Sequence, residues 1–317
     1  MTSNPNTNDQ TISELPSVGV LLATYNGSRW LHEQVSSIFR QTGVKVQLYV
    51  IDDFSTDNTV ADLMEWKNQG FAITVIENAP KKLGVPGIYF YLMGLEYPER
   101  FIAFADQDDV WNENHLSASI KVLGSKTLAV SFSPREYMNS LGKPIGISPR
   151  LAKSTSTSNA IIENVAYGNT IVMTGDLLRK SSSRIPENPV MHDSWVYLWA
   201  TVFGETIRHE NIGVQYRLHE NNHIGVKPYL RWVKALSSMK KFVRQDIEFL
   251  QYFGTTNAPG VGIIRDFIDV ISSKSLLKRL SYCLSSKCYR QSRLDNFLLK
   301  CIIILIPSML YKDSSNP

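Results

Sequence analysis

Short apolar runs alternate with segments of helical periodicity along the first hundred residues. After the first run, apolar side chains recur at Leu31, Val35 and Ile38, which is one face of a helix that ends at Gly43. Buried strands joined to amphipathic helices by short connections are typical of an α/β fold with a mostly parallel central sheet flanked by helices. The predicted strands are residues 18–23, 46–51, 72–76 and 101–105, and the predicted helices are 28–43, 58–69 and 87–96.

The alternation of apolar runs with segments of helical periodicity is less regular after residue 125. The sequence predicts strands at 127–133 and 168–174, and an aromatic-rich helix at 192–203. A strand pair is predicted at 205–209 and 213–218. Residues 143–159, which include a run of Ser and Thr, are predicted to form a loop.

Three polar clusters follow buried strands of the predicted sheet. The carboxyl ends of parallel strands meet at one edge, where helix N-termini and loops form a crevice. We therefore expect the three clusters to face the same crevice. They are Thr24, Tyr25 and Asn26 after the first strand, Asp52 and Asp53 after the second, and Asp106, Gln107, Asp108 and Asp109 after the fourth.

The third cluster predicts a divalent cation. Three carboxylates within four residues repel one another, and a bound cation neutralises that repulsion. An EF-hand loop is excluded, because it needs Gly at its sixth and Glu at its twelfth position, where this chain has Trp111 and Ser117. An alternative without a metal is an acidic turn that caps a helix starting near Asn112.

An oxygen-rich site with few protein ligands suits Mg²⁺ or Mn²⁺ holding a diphosphate. The sequence contains neither a GxxxxGK[ST] loop nor a GxGxxG turn after a strand. P-loop enzymes and nicotinamide-dependent dehydrogenases are therefore disfavoured. The predicted ligand is a nucleotide held in another way.

Taken together, these motifs resemble the family 2 glycosyltransferases with the GT-A fold, and among them the bacterial rhamnosyltransferase-like branch. The resemblance spans about residues 17–226, with the motifs in family order. The motifs are residues 23–27, 51–53, 55–59, 104–111 and 192–195, then Tyr216, Arg217, Leu218 and His219 with Asn221 and Asn222.

The resemblance implies a role for each matching residue. It places Thr24, Tyr25, Asn26, Asp52, Asp53, Asp106, Gln107 and Arg217 at the nucleotide sugar, with Asp53 accepting a hydrogen bond from a pyrimidine ring. It places Asp106, Asp108 and His219 at the metal. The role of Asp109 stays open. Local alternatives are a simple turn at residues 26–27 and helix capping by Asp52 or Asp53.

An inverting transfer needs a base that takes the proton of the attacking acceptor hydroxyl. The resemblance implies that Asp193 is this base. A carboxylate at the start of the aromatic-rich helix could instead serve as an N-terminal cap. His192 is a second candidate because its ordinary pKa is closer to neutral.

Charge is distributed unevenly along the chain. Residues 1–226 carry 18 Lys and Arg against 23 Asp and Glu, whereas residues 227–317 carry 15 against 6. Basic amphipathic helices are predicted near 230–250 and 271–289, which favours contact with an anionic membrane. The alternative is that these helices pack on the rest of the protein and expose their charge to water. Nucleic acid is not expected, because no zinc finger, RNP-like or helix-turn-helix motif is present.

The sequence predicts three regions: a flexible tail at 1–16, a GT-A domain at 17–226 and a helical region at 227–317. Cys283, Cys288 and Cys301 lack metal-ligand spacing and fit a reducing cytoplasm, with the protein peripheral on the inner face of the plasma membrane. The predicted activity is sugar transfer, with rhamnose favoured, from a UDP- or dTDP-sugar to a surface-polysaccharide precursor. The alternatives are a nucleotidyltransferase and a non-catalytic glycan-binding module.

Overall fold

The computed structural model describes residues 15–77, 79–187, 189–219, 231–285, 287–307 and 310. The strands are β1 (Ser17–Thr24), β2 (Lys45–Asp52), β3 (Ile73–Val75), β4 (Phe101–Ala105), β5 (Val110–Trp111), β6 (Ala129–Phe132), β7 (Arg135–Met138), β8 (Pro144–Ile147), β9 (Val172–Thr174), β10 (Glu205–Arg208) and β11 (Val214–Arg217). The α-helices are α1 (Ser28–Phe39), α2 (Thr59–Asn68), α3 (Gly84–Met93), α4 (His115–Leu123), α5 (Thr157–Ala160), α6 (Gly175–Ser182), α7 (His192–Phe203), α8 (Arg231–Phe253), α9 (Pro259–Ser272), α10 (Leu276–Leu284) and α11 (Arg293–Leu305).

The central sheet has seven strands in the order β10-β6-β9-β4-β1-β2-β3. β1 lies between β2 and β4 and pairs with both in parallel, and β3 extends the parallel part beyond β2. β9 is antiparallel to both of its neighbours, β4 and β6. The predicted α/β fold with a mostly parallel sheet is confirmed. A second sheet has the order β5-β11-β7-β8.

Apolar side chains cover both faces of the central sheet. Successive residues of a strand point to opposite faces, and β1 shows this directly. Val20 belongs to a buried cluster with Val35 of α1, whereas Leu21 belongs to a second cluster with Leu92 of α3 and Trp195 of α7. Because β1, β2 and β4 run in parallel, their carboxyl ends meet at one edge of the sheet, between the helices that cover its two faces.

Three predictions for residues 127–218 were wrong in detail. The predicted strand pair does not form, because β10 pairs with β6 in the central sheet and β11 pairs with β5 and β7 in the second sheet. The predicted strand at 168–174 begins with a 3-10 turn, Gly168–Thr170, and only β9 is extended. The predicted loop at 143–159 contains β8 and α5. Each of these elements has four residues or fewer, which is too short for a clear period.

The C-terminal helices differ in how much they bury. α8 places Met239, Phe242, Val243 and Phe249 in the larger apolar cluster, and Phe249 lies 5.4 Å from Trp195 of α7 between ring centroids. The apolar side of α8 therefore covers α7. In the part of the chain that the structure describes, no helix combines the length and the apolar composition needed to cross a bilayer.

Candidate active site

The loops after β1 and β2, residues 25–28 and 53–58, bind each other and are here called the strand-end loops. Asn26 has a left-handed backbone (φ 47°), and its Oδ1 accepts the backbone N–H of Thr56 at 2.8 Å. The backbone N–H of Asn26 donates to Ser55 Oγ at 2.8 Å. Asp57 accepts the hydroxyl of Ser28 at 2.9 Å. The polar residues of both motifs thus fix the shape of these loops.

Asp52 and Asp53 point in different directions from the end of β2. Asp52 accepts the Thr24 hydroxyl at 2.9 Å and the Ser55 N–H at 2.7 Å, so it braces its own loop. Asp53 accepts the N–H groups of Leu83 and Gly84, at 2.8 and 2.7 Å, and so caps the start of α3. Both carboxylates have a local structural role, although the helix that Asp53 caps is not the one next in sequence.

Gln107 connects the end of β4 to the strand-end loops. Its side chain accepts the backbone N–H of Tyr25 at 2.9 Å and donates to the backbone carbonyl of Tyr25 at 3.0 Å. A Cβ atom on Gly27 would lie 2.2 Å from Gln107 Oε1, so any larger residue there would displace the Gln107 side chain. The Tyr25 ring is exposed, and Lys82 Nζ lies 3.0 Å from its centroid.

Asp106, Asp108, Asp109 and Asp193 form what is here called the carboxylate cluster. Asp106 accepts the hydroxyl of Tyr89 at 2.9 Å, and the same hydroxyl lies 2.7 Å from the carbonyl of Ala105. Burial raises the pKa of Asp106 to about 7, and the neighbouring charges of Asp108 and Asp193 add to the rise. This carboxyl group is therefore poised to accept a cation or a proton.

Asp108 meets His219 at the open side of the cluster. Its Oδ2 lies 2.7 Å from His219 Nε2, and the His219 ring lies 4.3 Å from the ring of Trp30 between centroids. Among the described residues, no three Asp, Glu, His or Cys side chains meet as a metal-binding group. The structure thus brings together two of the three predicted ligands, Asp108 and His219, and holds the third, Asp106, on Tyr89.

Asp109 is buried and holds the second sheet against the cluster. Its Oδ1 accepts the backbone N–H of Arg217 at 3.1 Å, and its Oδ2 accepts the side-chain amide of Asn169 at 2.5 Å. Burial raises the pKa of Asp109 well above its ordinary value, and Asp108 and Asp106 add to the rise. The open question about Asp109 is answered in part: it positions the strand β11.

Arg217 is buried, and its guanidinium binds protein acceptors. Nε donates to the backbone carbonyl of Asp108 at 2.9 Å, and a terminal nitrogen binds the carboxylate of Glu33 on α1. The resemblance implied an arginine at the diphosphate. In the structure this side chain orients the residues around Asp108.

Asp193 lies in the first turn of α7, at the inner side of the cluster. Its Oδ2 accepts the backbone N–H of Gly168 at 2.8 Å, and its Oδ1 accepts the N–H of Ser194 at 2.6 Å. Burial raises the pKa of Asp193 to about 6, which outweighs the opposite effect of these hydrogen bonds. A carboxylate with a raised pKa and a fixed orientation is suited to proton transfer near neutral pH.

His192, next to Asp193 in sequence, packs against aromatic rings of α3 and β4. Its ring stacks on Tyr89 at 4.0 Å between centroids and meets the edge of Phe104 at 4.7 Å. Neither ring nitrogen has a hydrogen-bond partner among the described residues, and burial lowers the pKa of His192 to about 3. The ring is therefore neutral, which leaves Asp193 as the better placed of the two predicted bases.

Four residues of this site were missed by the sequence analysis: Tyr89, Asn169, Lys82 and Glu33. Tyr89 lies in the apolar helix α3, whose sequence gives no sign that one hydroxyl reaches Asp106. Asn169 contacts Asp109 from 60 positions away. Such contacts leave no local pattern in the sequence.

Residues 19–150 match the model of a family described as glycosyl transferase family 2. This segment is similar to that family, and together with the relatives described below it shows that the protein is a glycosyltransferase. The matched segment contains the strand-end loops and three of the four clustered carboxylates, whereas Asp193 lies beyond it. A glycosyltransferase is neither of the alternatives that the sequence left open, a nucleotidyltransferase and a non-catalytic glycan-binding module.

Two relatives of the chain are bacterial glycosyltransferases with descriptive names. The chain is 28% identical over 221 residues to the dTDP-rhamnosyl transferase RfbG of Shigella flexneri, which covers 64% of this chain and 73% of the relative. It is 27% identical over 214 residues to WfgD of Escherichia coli, named UDP-Glc:alpha-D-GlcNAc-diphosphoundecaprenol beta-1,3-glucosyltransferase, with coverages of 65% and 78%.

Solved structures share the fold. The glycosyltransferase superposes on Staphylococcus aureus TarS 1–349 in complex with UDP-GlcNAc with a TM-score of 0.55 and 17% identity, covering 91% of this chain and 90% of that one. It superposes on the mannosyltransferase PcManGT from Pyrobaculum calidifontis in complex with GDP-Man and Mn²⁺ with a TM-score of 0.55 and 15% identity, covering 94% and 86%. The predicted GT-A fold is confirmed.

Proposed function

We propose that the glycosyltransferase moves a sugar, with inversion, from a UDP- or dTDP-linked donor to a precursor of a surface polysaccharide. The observation that carries the proposal is the convergence of Asp106, Asp108 and Asp193 beyond the carboxyl end of β4. Acidic groups at one edge of a parallel sheet can face both a diphosphate and an acceptor hydroxyl. The name of the Shigella relative favours dTDP-rhamnose as donor, and that of the Escherichia coli relative favours a lipid-linked glycan as acceptor.

Asp193 acts as the general base. Its carboxylate takes the proton of the acceptor hydroxyl while that oxygen bonds to the anomeric carbon of the donor. The bond from this carbon to the diphosphate breaks, and the diphosphate leaves with the bonding electrons. The N–H groups of Gly168 and Ser194 hold the carboxylate in one orientation, so little reorganisation is needed during proton transfer.

Asp106, Asp108 and His219 would hold a divalent cation, Mn²⁺ or Mg²⁺, together with donor phosphate oxygens. Such cations are commonly bound by one or two carboxylates plus phosphate. The imidazole nitrogen of His219, 2.7 Å from Asp108, suits a transition metal better than Mg²⁺ and so favours Mn²⁺. The bound cation would stabilise negative charge on the departing diphosphate.

The strand-end loops form the nucleotide pocket. The exposed Tyr25 ring, with Lys82 above it, offers an aromatic face and a positive charge to the base and the phosphates. Thr24, Asn26 and Asp52 hold this loop in place through hydrogen bonds, and Asp53 retains lone pairs that can accept from a pyrimidine ring. Gln107 and Arg217 support the pocket indirectly, because Gln107 binds the backbone of Tyr25 and Arg217 binds the backbone carbonyl of Asp108.

A donor screen tests this proposal. Purified protein is titrated with dTDP-rhamnose, UDP-glucose and GDP-mannose, each with and without Mn²⁺, while its melting temperature is followed. We expect the dTDP- or UDP-sugar to raise the melting temperature, with a larger rise when Mn²⁺ is present. The product formed on a diphosphate-linked acceptor should have the inverted anomeric configuration by NMR. A rise with GDP-mannose alone, or a retained configuration, would contradict the proposal.

A further inference from the structure

Helices α10 and α11 expose large apolar side chains to water. Leu277 and Leu284 of α10 are 79% and 84% exposed, and Phe297 and Leu305 of α11 are 61% and 71% exposed. Isolated exposed apolar residues are common on protein surfaces. Here, however, they are concentrated on two consecutive helices, which is typical of an interaction surface.

The exposed residues are aligned along each helix. Leu277 and Leu284 lie seven positions apart, on one face of α10, while Tyr282 and Cys283 of the same helix are buried. On α11, Leu294, Phe297 and Leu305 fall at intervals of three and eight positions, again one face. These five residues are here called the apolar stripes.

α11 is apolar on two sides. Its inner side buries Leu299 and Ile303 in the core, and its outer side carries its part of the apolar stripes. A helix that is apolar all round is normally covered on every side. The two helices are packed together, since Cys283 Sγ lies 3.9 Å from the carbonyl of Lys300. Within the described part of the chain, no element covers these outer sides, although their apolar composition is typical of a covered surface.

The segment that carries the apolar stripes is rich in positive charge. Residues 273–306 contain seven Lys and Arg but one acidic residue, Asp295. Lys278 and Lys287 pair with Asp269 and Asp266 of α9, at 2.5 and 3.3 Å, and Arg290 pairs with Glu163 at 3.5 Å. With Asp295 these are four acids, which the seven cations still outnumber. Exposed Lys274 and Arg293 lie at the starts of α10 and α11. An occupant of this surface must therefore be both apolar and negatively charged.

We propose that α10 and α11 dock on the surface of an anionic lipid bilayer. The apolar stripes enter the boundary between headgroups and acyl chains, and the Lys and Arg of the same segment contact the lipid phosphates. A protein partner would need apolar and acidic groups in register with both stripes, whereas an anionic bilayer supplies both everywhere. The docking surface goes beyond the proposed function and does not depend on the role of Asp193.

Vesicle flotation of the full chain tests the docking surface. We expect the protein to float with vesicles of phosphatidylglycerol and phosphatidylcholine, and to stay in the soluble fraction with phosphatidylcholine alone. The triple variant Leu277→Gln, Leu284→Gln, Phe297→Gln should bind on the order of 10²-fold more weakly, because three apolar side chains no longer enter the bilayer. A matched control is Leu141→Gln, Ile145→Gln, Ile147→Gln, which removes exposed apolar residues near β8 and should float like the wild type.

A second variant tests the charge. Lys274→Glu with Arg293→Glu should weaken flotation with anionic vesicles while leaving the melting temperature unchanged, since both side chains are exposed. Equal flotation of the triple variant and the wild type would overturn the proposal, as would equal binding to neutral vesicles. Sedimentation of the wild type as a dimer and of the triple variant as a monomer, with neither bound to vesicles, would show that a second copy covers this surface instead.

Discussion

The strand-end loops and the carboxylate cluster lie at the same edge of the sheet but use acidic side chains in opposite ways. In the loops, burial alone would raise the pKa of Asp57, but hydrogen bonds from Thr59 and Ser28 outweigh it and lower that pKa. In the cluster, Asp193 also accepts two N–H groups, yet burial dominates and its pKa rises to about 6. The loops thus use ionised carboxylates to fix the backbone. The cluster keeps carboxylates able to bind a cation or a proton.

The largest effect expected from this difference concerns Asp108. Asp108→Ala should lower turnover on the order of 10³-fold, because the cation and its stabilisation of the leaving diphosphate are lost. Initial rates with saturating Mn²⁺ and with chelator measure it. Asp176→Ala, which removes an exposed carboxylate paired with Arg179, is the control and should keep full activity. Wild-type turnover in the presence of chelator would show that the cluster works without a metal.

The second effect concerns Asp193. Asp193→Asn should lower kcat on the order of 10²-fold and leave donor affinity unchanged, since only proton transfer is removed. Donor affinity by calorimetry, alongside kcat, separates these two effects. An Asn variant as fast as the wild type would place the base elsewhere.

The pH profile of the wild type provides an independent check on Asp193. The base must be ionised to act, and burial raises its pKa to about 6. The rate should therefore be full above this pH and fall as the pH decreases through it. With an unperturbed aspartate, the rate would stay full until the pH reached about 4. The profile of the Asn variant should lack this step.

A smaller effect is expected at Tyr89, which supports the cluster from α3. Tyr89→Phe should lower kcat about tenfold, because Asp106 loses the hydroxyl that orients it while the ring still stacks on His192. Tyr97→Phe is the matched control: its hydroxyl also donates to a backbone carbonyl, that of Leu92, but to no site carboxylate. Both variants should melt at similar temperatures, and equal kcat values would remove Tyr89 from the site.

The smallest effect is expected in the strand-end loops. Gln107→Ala removes two hydrogen bonds to the Tyr25 backbone and should raise KM for the donor about threefold with kcat unchanged. Steady-state kinetics with varied donor measures this effect, and Gln69→Ala on the surface is the control. A fall in kcat instead of a rise in KM would show that Gln107 takes part in the chemical step. The strand-end loops and the carboxylate cluster would then not differ in the way described.

The sequence predicted best where burial is regular. The strands β1, β2 and β4 are continuous apolar runs, and the polar residues that follow them lie at one edge of the sheet as expected. It failed where elements are short, and in β8 all four residues also face water and leave no alternating pattern.

Contacts between residues far apart in the sequence could not be predicted either. Glu33 binds Arg217 from 184 positions away, and Tyr89 reaches Asp106 from an apolar helix. The sequence places residues at an edge but does not show which of them touch. The contacts of Arg217 with Glu33 and with the backbone carbonyl of Asp108 were therefore not predicted.

The position of β9 has a consequence for biosynthesis. This strand fills the gap between β4 and β6, and Ala103 pairs with Val172. While the ribosome is still adding residues 133–171, β4 has an open edge made entirely of apolar residues, which invites pairing with other chains. A nascent chain that stalls before residue 174 thus keeps this edge unpaired, and the segment 19–150 lacks the strand that completes the sheet.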